Sequence, residues 1–157
     1  DDAAFYFDLW KQASWIQYIG DKKFRSVDDA RQSLINGPMK MYADKGFSLY
    51  LITLKDNTPI GMCGLIKRDI LPEADLGYAL LPEYAGQGYA FEACQACLAA
   101  ASRDFALPCL LAIVNPGNTP SRRLLEKLGF GYQHMQALYA NEPELCIYRM
   151  NLEKYPP

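Results

Sequence analysis

The sequence contains one histidine, His134, and five cysteines, Cys63, Cys94, Cys97, Cys109 and Cys146, among 157 residues. Cys94 and Cys97 form a C-x-x-C pair, but the chain has no second pair and one histidine cannot complete the set. A closed structural zinc site needs four such ligands, so no metal is expected. The odd number of thiols and the lack of a signal-peptide pattern fit a reducing, cytoplasmic setting better than a disulfide framework. No apolar run is long enough to span a bilayer, and no membrane partner is expected. Positive charge is not in surplus either: 16 Lys and Arg stand against 18 Asp and Glu, for a net charge of -2. The basic residues are scattered, which argues against nucleic acid as a partner. No segment is low in complexity or dominated by Pro, Gly and Ser, so disorder is not expected.

What is present is material for a core. Half of the residues are hydrophobic and 13% are aromatic. The chain reads as one domain over residues 1–157, large enough to bury about two thirds of the surface its unfolded form exposes. Phe5, Leu9, Ile16 and Ile19 recur at roughly helical spacing in residues 3–19, and Gly20 closes that segment. Ser26 and Asp29 form a capping-box pattern that opens a helix over Val27 to Leu34, which Gly37 and Pro38 are expected to interrupt. The period then changes to that of strands over 47–54 and 59–69, with the turn residues Asp56 and Asn57 between them, which predicts an antiparallel hairpin. A third strand is expected over 74–81. The next helix, 88–104, carries Phe91, Cys94, Leu98, Ala101 and Phe105 along one face. The nearly all-apolar stretch 107–114 reads as a strand covered on both sides, so 74–114 reads as a parallel βαβ crossover. Thr119 reads as the N-cap of a short helix with Pro120 at its first position and Gly129 at its end, before strands over 130–136 and 144–152. The fold class is therefore mixed α/β.

The junction "LLPEYAGQGYAFEA", Leu80 to Ala93, gathers small residues where a strand feeds into a helix. Such a junction binds anions, because the first amides of a helix have no intrahelical acceptors and the macrodipole adds positive potential. Two familiar phosphate motifs fail here. A Walker loop needs Lys after Gly88, where Tyr89 stands, and a dinucleotide fingerprint needs a third glycine, where Phe91 stands.

Together with "NPGNTPSRRLLEKLGF" (115–130), this junction resembles the GNAT superfamily of acyl-CoA-dependent N-acyltransferases. The nearest likeness is to its Rim-type branch of ribosomal-protein N-terminal acetyltransferases. The resemblance implies that acetyl-CoA is the co-substrate and that the backbone of Ala85, Gly86, Gln87, Gly88, Tyr89 and Ala90 holds its pyrophosphate. Ala85 departs from the family's Gln or Arg. It also implies that the backbone near Leu80 and Leu81 meets the pantetheine arm and polarises the thioester, and that Asn118 contacts CoA. Many members use a tyrosine in the last helix as the acid, but Leu125 stands there, and Ser121 is the expected replacement. Asp75, or its rival Glu83, is expected as the base. Each of these residues also has a plain structural reading: Ser121 as a helix-start serine, Asn118 as a turn residue, and both carboxylates as solvated charges. Tyr78 and Tyr84 read first as packing aromatics and second as residues lining the cleft, and His134 as a surface or half-buried residue.

The expected reaction is acetyl transfer to a primary amine, a protein N-terminus or a small molecule, by direct attack in a ternary complex. A non-catalytic acyl-CoA sensor on the same fold is the alternative. Asp69, Glu73 and Asp75 near one strand end are expected to favour a cationic acceptor. Family members place a strand before the first helix, so an N-terminal segment is expected to be missing here. An edge strand near the C-terminus offers backbone to a second copy, as in a homodimer.

Overall fold

The computed structural model describes residues 2–153 and 155–156. The N-terminal pattern folds as two helices, α1 (Ala3–Trp10) and α2 (Ala13–Tyr18), where the spacing predicts one. On a continuous helix Trp10 and Trp15, five residues apart, would point roughly 140° away from each other. The break at Gln12, which is extended at φ -60°, ψ 140°, turns both indoles into one core. Trp10 meets Tyr6, Trp15 and Phe24 at ring distances of 5.2, 6.2 and 5.3 Å. Ile16 and Ile19 consequently lie exposed.

The Ser26–Asp29 capping box forms. Asp29 N donates to Ser26 Oγ at 3.1 Å, and Ser26 N donates to Asp29 Oδ2 at 3.2 Å, opening α3 (Val27–Leu34). Gly37 and Pro38 do not end the helical run. A π-helical turn over Ile35–Met39 absorbs the proline, whose missing N–H costs nothing where the ladder is already widened, and α4 (Lys40–Lys45) continues to Gly46.

Strands β1 (Leu49–Thr53) and β2 (Pro59–Ile66) form the expected hairpin, and β2 pairs antiparallel with β3 (Asp75–Leu80). A short 3-10 turn, Pro82–Tyr84, precedes α5 (Tyr89–Arg103), which leads to β4 (Cys109–Val114). Then come α6 (Thr119–Leu128), β5 (Gly131–Gln136) and β6 (Leu145–Asn151). The sheet order is β1-β2-β3-β4-β6-β5, with β3 and β4 parallel. This leaves β1 and β5 at the edges. Asn118, not Thr119, caps α6: its Oδ1 accepts from Ser121 N at 3.3 Å, and Pro120 takes the second helical position.

Alternation along the strands divides the core into two layers. Cys63, Leu65, Leu76 and Leu110 face the buried stripe Cys94, Leu98 and Ala101 of α5. Met62 and Ala79 face α1–α3 and their aromatic cluster. The two layers close tightly at β2. A Cβ on Gly64 would run into the backbone carbonyl oxygen of Ser48 and lie 2.7 Å from Leu49 Cα. Gly64→Ala is therefore expected to lower stability by about 2 kcal/mol or more, read as a shift of the urea midpoint.

The feature that positions a site lies at the centre of the sheet. The β3–β4 ladder holds only at Asp75↔Leu111 and Leu76↔Ala112, whereas β4 pairs with β6 from Cys109 to Val114. Beyond Leu76 the two parallel strands part and leave a wedge at their C-terminal ends. Among the described residues no helix is long and apolar enough to cross a membrane.

Candidate functional site

In an open α/β sheet, the C-terminal ends of diverging parallel strands are where ligands enter. On β3, backbone groups of alternate residues point to opposite neighbours. Ala74 O accepts from Leu111 N on the β4 side, and Leu81 N donates to Ile60 O, at 2.8 Å, on the β2 side. The amides of Tyr78 and Leu80 therefore point into the wedge, where no strand meets them. Leu81, expected beside Leu80 as a thioester contact, has its N–H taken by Ile60.

The small-residue loop lies at the mouth of this wedge. Gly86 and Gly88 have φ of +72° and +85°, and Gly88 caps α5 without a side-chain bond. A Cβ at either would meet nothing within 4 Å. Glycine is thus required by the backbone conformation, while the space outside stays open. Glu92 N returns to Gly88 O at 3.0 Å, but among the described residues the amides of Gly86 to Phe91 have no acceptor. Gln87 turns its side chain away to Glu83 O, at 3.0 Å. Positive potential and bare N–H groups at the start of a 15-residue helix make an anion site. From it a groove of about 480 Å³ runs past Ala85, Ala90 and Leu80 to Tyr78, Asn118 and Ser121.

At the inner end of the groove the Tyr78 hydroxyl makes a short hydrogen bond with Ser121 Oγ and reaches Ser121 O at 3.2 Å. Burial pushes the Tyr78 pKa up, partly offset by the Ser121 bond, so the phenol stays protonated and can donate. Ser121 is more than a helix-start serine, since its N–H is met by Asn118 and its hydroxyl by Tyr78. Asn118 lines the groove and its Oδ1 is occupied in capping.

A family model, "Acetyltransferase (GNAT) domain", matches residues 1–131. The chain belongs to the GNAT acetyltransferase family. It is accordingly an acyltransferase, and its mixed six-stranded sheet is the fold of that family. A Bacillus licheniformis relative named as an uncharacterized N-acetyltransferase, p20, is 30% identical over 133 residues, which is 83% of this chain and 74% of p20. An uncharacterized Bacillus subtilis protein, YkkB, is 31% identical over 94 residues, 57% of this chain; the match spans 55% of YkkB. The fold superposes on the Agrobacterium tumefaciens acetyltransferase with a TM-score of 0.81 at 24% identity, covering 96% of this chain and 85% of that one. It also superposes on the Vibrio cholerae spermidine N-acetyltransferase solved with CoA and spermine, with a TM-score of 0.79 at 18% identity, covering 98% and 92%.

The carboxylates expected as bases in this GNAT chain are placed very differently. Glu83 is exposed on the 3-10 turn and lines neither the groove nor the cavity behind it. Asp75 is 2% exposed and ion-paired with Arg68, whose Nε donates to Oδ2 at 2.9 Å. Burial pushes its pKa up and Arg68 pulls it down, with the balance upward. Asp75 lines a second cavity, of about 350 Å³, which meets the groove at Tyr78, Asn118 and Ser121. The acidic cluster does not assemble there: Asp69 is exposed, and Glu73 faces Arg149 at 4.0 Å.

Tyr78 is the site residue that sequence reading missed as a partner for Ser121. Its only signal was its position on a strand that ends at the glycine loop. Of the C-x-x-C cysteines, Cys94 is buried and Cys97 half-buried, with Cys63 Sγ 3.8 Å from Cys94 Sγ and 3.5 Å from Cys97 Sγ. His134 is exposed and bonds Gln136.

Proposed function

We propose that this chain transfers the acetyl group of acetyl-CoA to a primary amine by direct attack in a ternary complex. The observation that carries the reading is the parted β3–β4 ladder with bare amides at its mouth, one continuous path from an anion site to a hydrogen-bonded hydroxyl pair. The amides of Gly86 to Phe91 receive the pyrophosphate, and the unpaired edge of β3 at Tyr78 and Leu80 accompanies the pantetheine arm. Lys127, which lines the groove with its Nζ 4.3 Å over the Phe91 ring, supplies a side-chain charge that Ala85 does not.

An amide pointing into a dry wedge suits the oxyanion that develops when the amine attacks the thioester carbonyl. As the C–N bond forms and the C–S bond breaks, Ser121 Oγ donates its proton to the leaving sulfur and Tyr78 donates to Ser121. The proton released by the amine passes to Asp75, directly or through water, since burial makes it a better acceptor than an exposed carboxylate. The Ser121–Tyr78 pair supports the Rim-type likeness, in which a serine takes the acid's place.

The test is thiol release from acetyl-CoA with a panel of amines comprising amino acids, peptides with varied N-termini, aminoglycosides and polyamines. Amine-dependent release with at least one class is expected. Binding of acetyl-CoA with silence across the panel would contradict the reading.

A further inference from the structure

The cavity behind the wedge carries two cationic side chains, Lys22 and Arg68. Its walls include Trp10, Trp15, Lys22, Arg68, Asn115 and Asn118. Several wall oxygens are already engaged: Asn115 Oδ1 accepts from Gly117 N at 2.9 Å, Asn118 Oδ1 from Ser121 N, and Asp75 Oδ2 from Arg68 Nε. The cationic donors are less fully used. Arg68 uses only Nε on Asp75, so among the described residues its two terminal nitrogens are unmatched. Lys22 stands at the exposed rim with its Nζ 4.7 Å over the Trp10 ring, and among the described residues no carboxylate faces it. Crowding by protein and then the field of Arg68 lower its pKa.

We propose that the acceptor is a primary amine that also carries a carboxylate, a free amino acid with an apolar or aromatic side chain, whose carboxylate is held by Lys22 and Arg68. This rests on the acetyl-transfer reading above. The amino group, a short covalent distance from that carboxylate, then lies toward Asp75 and the Tyr78–Ser121 junction. The remaining wall, with Ile19, Leu49, Met62 and Ile113, receives the side chain. The cavity volume of about 350 Å³ falls within the roughly 300–1,000 Å³ usual for small-molecule sites. A polyamine would bring further positive charges against Lys22 and Arg68, so this cavity disfavours the cationic acceptor expected from the acidic cluster.

The experiment compares phenylalanine, leucine, methionine, phenethylamine and spermidine as acceptors for the whole chain with acetyl-CoA, monitored by thiol release. Phenylalanine is expected to exceed phenethylamine in kcat/KM by roughly tenfold or more, the discrimination due to a charge-assisted contact. Lys22→Gln is expected to raise KM for phenylalanine by about tenfold and that for phenethylamine by less than about threefold. A preference for phenethylamine or spermidine, silence of every amino acid, or an equal rise of both KM values would overturn the inference. Calorimetry with acetyl-CoA separates the failures. Intact binding in the wild type and in Lys22→Gln confines a negative result to the acceptor, whereas no binding in the wild type removes the acetyl-transfer reading and the inference with it.

Discussion

Gly88→Asp is expected to remove measurable acetyl-CoA binding in calorimetry, a loss of at least about 100-fold from placing a carboxylate against a pyrophosphate. The fold should survive. A Cβ at Gly88 meets nothing within 4 Å, and its φ of +85° lies in the left-handed region that aspartate and asparagine tolerate better than most side chains. Gly88→Asn carries nearly the same volume without the charge, so it should weaken binding much less and thereby assign the loss to electrostatics. Unchanged affinity in Gly88→Asp would place the pyrophosphate elsewhere.

Tyr78→Phe and Ser121→Ala are each expected to lower kcat by about 100-fold, the lower range for loss of a positioned proton donor, with acetyl-CoA affinity within about threefold of wild type. Because the two hydroxyls bond each other, the double variant should be about as slow as either single one. Multiplying losses would show two independent contributions and dissolve the relay. Burial holds the Tyr78 pKa well above that of free tyrosine, so the donor should not be lost as pH rises through the ordinary tyrosine range.

Local chemistry written in neighbouring residues was legible from sequence. The Ser26–Asp29 capping box, the β1–β2 hairpin around Asn57, the buried stripe of α5, the parallel crossover and the Gly129 stop all depend on interactions a few residues apart or on a clean period. The conformation of the glycine loop was legible for the same reason: Gly86 and Gly88 are where the backbone demands glycine.

The misreadings share a different cause. The break at Gln12 is decided by how two indoles, 10 and 15, pack on a sheet encoded far downstream. The π turn at Pro38 accommodates what a propensity argument treats as a stop. Thr119 and Asn118 are both good capping residues, and the choice between them was set by the loop leaving β4. Tyr78 and Ser121 are 43 residues apart, so no spacing could pair them. Asp75 reads from sequence as the base, with a solvated charge as its plain alternative; its burial and its pairing were not legible, because Arg68 comes from the preceding loop and the burial from the layers on either side.

The most direct measurement is a titration of the isotope-labelled chain with CoA, observed by amide nitrogen–proton NMR. The largest shifts are expected at Gly86, Gln87, Gly88, Tyr89 and Ala90, with a second group at Tyr78 and Leu80 and little change at Leu81, whose N–H remains on Ile60. CoA that binds while the loop amides stay in place and shifts gather elsewhere would contradict the account.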